Sequence, residues 1–209
     1  MFINICTFAG TGATFSRMKE TAPASLNPTL WRTCKMLAGT KRIHLLRQLH
    51  ERPGQSVKAL GEAIGVKRSD ASQELRRIQS RGLLKSKRQG IPLIYRLEAD
   101  PQVPSAAPLL KALQAALTAY PPKYDAAISH IAKGLANERR IAIARALIAR
   151  PGASGNLQRQ LDLSRSALAQ HLHVLAKSGF AIRHDGRYYF TTPPHPVARA
   201  LVRLLQQNR

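Results

Sequence analysis

Acidic residues are scarce in this chain of 209 residues: 11 Asp and Glu stand against 33 Lys and Arg, a formal net charge of +22. A surface of that charge repels basic partners and favours a polyanion, of which nucleic acid is the most common. Ribosomal and chaperone-bound proteins share such a composition. Charge therefore indicates a class of partner and leaves the role open.

Cysteine and long apolar runs are scarce as well. Only Cys6 and Cys34 are present, which excludes a disulfide framework and a cysteine-only metal site. No apolar run reaches the roughly 18 residues that a membrane helix needs, so we expect no membrane partner. The sequence shows no phosphate-binding glycine loop, no Cys/His pair and no paired acids, which predicts a protein that is not an enzyme and uses no cofactor.

The first 27 residues differ from the rest. The opening "MFINICTFAGTGATFSR" is mildly apolar but lacks the basic beginning of a secretory signal. Met18 offers a second start of translation. We therefore expect residues 1–27 to be a flexible tail, of which residues 1–17 are either native or untranslated.

What the sequence does contain is a repeat. "LAGTKRIHLLRQLHERPG" (37–54) and "LANERRIAIARALIARPG" (135–152) share nine identities in 18 positions. Further on, "VKRSDASQELRRIQSRG" (66–82) matches "LSRSALAQHLHVLAKSG" (163–179) in Arg, Ser, Gln, Leu and Gly. Because the matching segments keep the same order, we interpret them as two copies of one domain.

The second copy predicts its own structure more clearly. Leu168, Leu172 and Leu175 have the spacing of one helical stripe, Ser164 stands where a hydroxyl caps that helix, and Gly179 follows its end. Further helices are predicted at 126–135, from Asn137 to the residues before Pro151, and around "LQRQLD". Alternation around Asp185-Gly186 predicts a β-hairpin.

These patterns predict a mainly α (α+β) fold of tandem winged helix-turn-helix domains, each with a small β-hairpin wing, plus terminal and linking helices. Domain 1 is expected at 28–117 with its following helix, a linker at 118–126, and domain 2 at 127–207 with its C-terminal helix. Pro121-Pro122 lies in the linker, where it cannot continue a helix.

The stretch from "LANERRIAIARALIA" to "GRYYF" resembles the ArsR-type family of winged-helix transcriptional regulators over nearly the whole second copy. The first copy is more divergent, with Gly39 for Asn, Lys67 for the capping Ser and Glu74 in place of His171. The resemblance implies sequence-specific binding of double-stranded DNA, usually by a homodimer held through terminal helices. It thus implies a cytoplasmic, nucleoid-associated regulator in which two fused copies form a pseudo-dimer, with a homodimer through the terminal helices as a further possibility.

The candidate DNA-binding residues are polar or basic side chains at equivalent positions of the two copies. Those on the recognition helices are Lys67, Arg68, Ser69, Ser72, Gln73, Arg76, Ser164, Arg165, Ser166, Gln170 and His171. Those on the wings are Lys85, Lys87, Arg88, Arg183 and Arg187. Arg suits guanine and Gln suits adenine in the major groove, whereas wing cations contact phosphates and position the protein.

Metal binding is not expected. His171 and His173 are two residues apart on a helix, so their rings point about 200° apart and chelate poorly. The third helix, where the family's metal sensors carry cysteines, has none in either copy. Two other functions remain as alternatives: a replication-initiation or chromosome-organising protein, and an adaptor whose domain 1 binds protein, since Asp70 and Glu74 lie on its recognition helix.

Overall fold

The computed structural model describes residues 29–207; the tail expected at 1–27 lies outside this range. We call residues 29–119 the first half and residues 125–207 the second half. The elements of the first half follow one another as α1 (Leu30–Leu37), α2 (Thr40–Glu51), β1 (Gln55–Ser56), α3 (Val57–Ala63), α4 (Arg68–Gln79), β2 (Leu84–Arg88), β3 (Leu93–Leu97) and α5 (Ala106–Ala119).

The second half has the same order of elements. After a short 3₁₀ turn at Pro122–Tyr124 come α6 (Asp125–Leu135), α7 (Glu138–Ala149), β4 (Gly152–Ala153), α8 (Ser154–Leu161), α9 (Arg165–Lys177), β5 (Ala181–His184), β6 (Arg187–Phe190) and α10 (Pro196–Gln207). The fold is therefore mainly helical with small antiparallel sheets, which confirms the predicted class of winged helix-turn-helix domains. The helix that follows the first domain extends to Ala119, two residues into the predicted linker, and α6 begins already at Asp125.

Local chemistry sets the helix-turn-helix of the second half. The Ser164 hydroxyl accepts a hydrogen bond from the N–H of Ala167 at 3.2 Å and so caps α9. Leu168, Leu172 and Leu175 are buried beneath this helix. The helix is followed by Gly179 at φ 78°, a left-handed conformation that favours glycine. The recognition helix is thus fixed at both ends and along its inner face.

Each wing belongs to a three-stranded sheet rather than to the two-stranded hairpin that the sequence predicts. The strand orders are β1-β3-β2 and β4-β6-β5, all antiparallel. The additional strands, β1 and β4, are only two residues long and precede the helix-turn-helix. The predicted turn of the second wing is confirmed, since Asp185 and Gly186 both have positive φ, at 47° and 72°.

The two halves pack together through equivalent helices. Helix α1 lies against α6, and α5 lies against α10. The buried apolar side chains of both halves form one continuous cluster that runs from Leu30 to Leu205. Among residues 29–207, no helix is both long and apolar enough to cross a membrane. The packing leaves α4 and α9, the two predicted recognition helices, each with one face free.

Candidate nucleic-acid interface

The outer face of α4 carries most of the residues predicted for the first half. Lys67 occupies the N-cap position, and Arg68, Ser69, Gln73 and Arg76 are exposed. Ser72 is half-buried, so its hydroxyl is less accessible than the others. The outer face of α4 therefore presents two guanidinium groups, an ammonium and an amide to solvent, with Arg76 in the last turn.

The corresponding face of α9 is similar but carries no acid. Arg165, Ser166 and Gln170 are exposed in its first turns, and His171 is half-buried. Ser164 is occupied as the helix cap and lies 3.3 Å from the Ser166 hydroxyl. The Ser164 hydroxyl therefore caps the start of α9 and orients the residues that follow.

The wings add further cations. Lys87 and Arg88 are exposed on β2, while Lys85 pairs with Glu98 at 3.0 Å across the sheet. In the second wing Arg187 is exposed, and the guanidinium of Arg183 lies 5.8 Å from the centroid of the Tyr188 ring. The predicted wing residues therefore all lie on the strands beside the recognition helices.

The first wing contains one cation that the sequence interpretation missed. Arg96 of β3 lies opposite Lys85 of β2 in the antiparallel register. Both residues line a groove of about 500 Å³, together with Lys87 and Arg88. Strand partners share one face of a sheet, so Lys85, Lys87 and Arg96 form a single basic surface, and Arg88 lines the same groove from the end of β2. A hairpin that turns between Gly90 and Ile91 pairs Arg96 with Lys85, and this turn is the signal that could have identified Arg96.

Equivalent arginines in the two halves differ in the partners that they bind. Arg140 donates from Nε to the carbonyl of Gly134 at 2.8 Å and from Nη2 to that of Lys133 at 2.9 Å. Arg42 makes the equivalent bonds to Met36 and Lys35. Arg42 also pairs with Glu74 of α4 at 2.5 Å.

Glu74 is consequently not a free charge on the reading face. Its carboxylate lies between Arg42 and Arg77, at 2.5 Å and 2.6 Å, and its side chain is 15% exposed. Asp70 and Glu74 were the reason to consider that α4 binds protein instead of DNA. Of these two acids, only Asp70 is exposed. The structure therefore weakens the observation on which the adaptor alternative was based.

His171 occupies the position equivalent to Glu74. Burial lowers the pKa of its imidazole, and the nearby Arg140 and Arg139 lower it further. His171 is therefore neutral near pH 7 in the free protein. Within residues 29–207, no three His, Cys, Asp or Glu side chains come together as a metal site.

Gly39 explains one departure of the first half from the family pattern. In the second half the Asn137 side chain caps α7 by accepting from the N–H groups of Arg139 and Arg140. A Cβ atom at position 39 would lie 2.2 Å from the Arg42 guanidinium. A side chain here would therefore require a shift of the Arg42 guanidinium that holds Glu74.

The match to a known protein family lies in the second half. Residues 135–184, which contain α7, α8, α9 and β5, match a family described as "Helix-turn-helix domain". The transcriptional activator HlyU of Vibrio cholerae serotype O1 is 36% identical over 76 residues, which are 36% of this chain and 70% of the activator.

Among solved structures, human N-acetylserotonin methyltransferase in complex with SAM superimposes with a TM-score of 0.30 and 13% identity. The match covers 63% of this chain and 52% of the methyltransferase, so this chain spans about half of that enzyme's length. A superposition this loose supports no statement about fold or activity. The similarity to HlyU, together with the two winged folds, shows that the chain belongs to the ArsR-like family of helix-turn-helix DNA-binding transcriptional regulators.

Proposed function

We propose that this protein is a single-chain pseudo-dimer that binds a specific site on double-stranded DNA and regulates transcription from it. The observation that carries the proposal is the symmetric packing of α1 on α6 and α5 on α10, which holds two exposed recognition helices in one body. In the family, terminal helices join two chains into a dimer. Here the corresponding helices, α5 and α10, both lie within one chain. The protein would act in the cytoplasm, on DNA of the nucleoid.

In this proposal α4 and α9 enter successive major grooves, whose centres are about 34–36 Å apart. Arg165 and Gln170 read bases in one half-site, and Arg68 and Gln73 read bases in the other. A bidentate contact of this kind discriminates between bases by about 1–3 kcal/mol. Because the two sets of side chains differ, the half-sites differ as well and the whole site is asymmetric.

The remaining candidates position the protein. Lys67, Ser69, Arg76, Ser166 and the wing cations contact phosphates, which adds affinity without sequence preference. Ser72 and His171, both half-buried, support the neighbouring side chains. The domain limits in this proposal are 28–117 and 127–207, joined by 118–126.

Two variants test the proposal. Arg68→Ala and Arg165→Ala are each expected to weaken binding to the preferred site by about tenfold or more, and each to relax base preference in a different half-site. Fluorescence anisotropy with duplexes mutated in one half-site at a time measures both effects. The matched control, Arg203→Ala, removes an exposed arginine of α10, the helix that packs against α5, and should leave base preference unchanged.

One alternative retains an observation in its favour. Ile91, at the tip of the first wing, is 99% exposed, and Leu93 beside it is exposed as well. An apolar wing tip fits an adaptor whose first half contacts protein. In that case Arg68→Ala would leave DNA affinity intact while Arg165→Ala would abolish it, whereas comparable losses would reject the adaptor.

The assembly has its own test. A homodimer through the terminal helices would need faces of α5 and α10 beyond those that already contact each other. The pseudo-dimer predicts a particle of one chain, 23.0 kDa, in solution and one chain per DNA site. Light scattering of the free protein and of the complex distinguishes this from two chains per site.

A further inference from the structure

A cavity of about 490 Å³ lies in the first half, between α1, the beginning of α2 and the end of α4. It is away from the base-reading residues, because the 12 residues of α4 span about 18 Å. Its aromatic and charged lining consists of Trp31, Arg32, Lys35, Arg42, Arg77 and Arg81, with Met36 and Ser80 beside them. The DNA-binding proposal uses none of these side chains.

Positive charge in this cavity exceeds negative charge. Glu74 is the carboxylate bound by Arg42 and Arg77. The other three cations, Arg32, Lys35 and Arg81, have no carboxylate within ion-pair distance among residues 29–207. The five cations thus lie near a single carboxylate, which pairs with two of them.

Burial and the excess of positive charge both affect the Arg81 guanidinium. Its side chain is half-buried at the end of α4, and burial, followed by the positive charge of Arg32, lowers the pKa of its guanidinium. Arg32 itself lies against the ring of Trp31, 5.1 Å from the centroid. Two guanidinium groups are therefore held near each other without an acid, an arrangement that a bound anion would stabilise.

The second half lacks this cluster. The positions equivalent to Trp31 and Arg32 are Ser129 and His130, and His130 is bonded to the carbonyl of Lys177 at 2.7 Å. Those equivalent to Arg77 and Arg81 are Val174 and Ser178. The shared fold therefore does not require the arginines, and their function belongs to the first half alone.

We propose that this cavity binds a small molecule carrying two or more phosphate groups, such as a nucleoside polyphosphate. Arg32 and Arg81 would bind its phosphate oxygens bidentately, with Lys35 as a third cation at the opening. Arg77 would be shared between the ligand and Glu74. This site does not depend on the proposed function, since it is formed in the protein without DNA.

Trp31 supplies the readout, because it is the single tryptophan of the chain. ATP and inorganic tripolyphosphate, titrated into the full chain at about 0.15 M salt, are expected to change its fluorescence saturably with one site per chain. Adenosine, which lacks phosphates, is expected to change nothing. Calorimetry of the same titrations measures binding independently of the Trp31 environment.

The variant Arg32→Ala/Arg81→Ala is expected to weaken ATP binding at least tenfold. Its matched control is Lys133→Ala/Lys177→Ala, which removes two exposed cations from the corresponding region of the second half. The control should bind within about twofold of the unaltered protein. Circular dichroism and melting temperature verify folding, and Lys35→Ala provides a milder second variant with an intermediate loss.

Two results would overturn the proposal. Equal weakening in both double variants would mean that ATP responds only to the overall charge of the chain. No saturable binding of ATP, combined with a weaker and less salt-dependent affinity of Arg32→Ala/Arg81→Ala for duplex DNA, would assign the cluster to DNA phosphates instead.

Discussion

Arg47 of α2 and Asp125 of α6 form a buried ion pair that joins the two halves of the chain. Nη2 of Arg47 lies 2.6 Å from Oδ1 of Asp125, and Nε lies 2.8 Å from Oδ2. The same guanidinium donates to the carbonyls of Leu117 and Tyr120 at 2.9 Å and 2.8 Å. One side chain thus fixes the end of α5 and the following link against the second half.

Removing either partner of this pair should destabilise the protein strongly. Arg47→Ala leaves the Asp125 carboxylate buried and unpaired, which costs about 3–5 kcal/mol. Asp125→Ala should cost less, because Arg47 keeps Glu51 at 3.5 Å and its two carbonyl partners. The double variant should cost less than the sum of the two. Urea denaturation measures the free energy of unfolding, and the exposed Arg139→Ala serves as a control with a change of about 0.5 kcal/mol or less. Equal losses in Arg139→Ala and Arg47→Ala would contradict a structural role for the pair.

Stability should fall in mild acid through His195. Its Nδ1 accepts a hydrogen bond from the N–H of Val197 at 3.2 Å, and its ring stacks on Tyr120 at 5.3 Å. Burial, and then Arg199, lowers its pKa.

In the unfolded chain the His195 pKa returns to about 6.5. The unfolded state therefore binds the proton first as the pH falls below that value, and stability decreases. Melting temperatures between pH 8 and pH 5 should show this decrease, and His195→Asn, which does not titrate, should reduce it. The remaining slope is expected from His171, whose pKa is lowered as well. An unchanged slope in His195→Asn would reject this assignment.

Cys34 should be chemically silent in the folded protein. It is fully buried in α1, and burial raises the pKa of its thiol well above the ordinary range. In a Cys6→Ser background, a thiol reagent such as DTNB is expected to react with Cys34 only after unfolding. Stoichiometric reaction within seconds under native conditions would show that α1 opens readily.

The elements that the sequence predicted best are those that local chemistry determines. Helix α9 has its cap, its leucine stripe and its terminal glycine within one segment, and the second wing turns on Asp185-Gly186. The strands β1 and β4 were missed because two residues show no alternation. Their pairing with β3 and β6 depends on contacts made across the fold.

The polar contacts between distant segments could not be predicted from the sequence for the same reason. Arg47 lies among leucines in "HLLRQLH", which indicates a buried arginine but not that Asp125 is its partner. Glu74 looked like a charge on the reading face until the structure placed it between Arg42 and Arg77. The cluster around Trp31 and Arg81 joins residues from separate helices, which no linear motif reveals.

Sequence-specific binding by the pseudo-dimer is tested by selecting preferred duplexes from a random DNA pool and then measuring how binding of the selected duplex depends on salt. We expect one site of two unlike half-sites, bound about 10³-fold or more tightly than random DNA at physiological salt. Affinity that falls with salt and shows no preferred sequence would contradict this expectation. The net charge of +22 would then account for binding without sequence recognition.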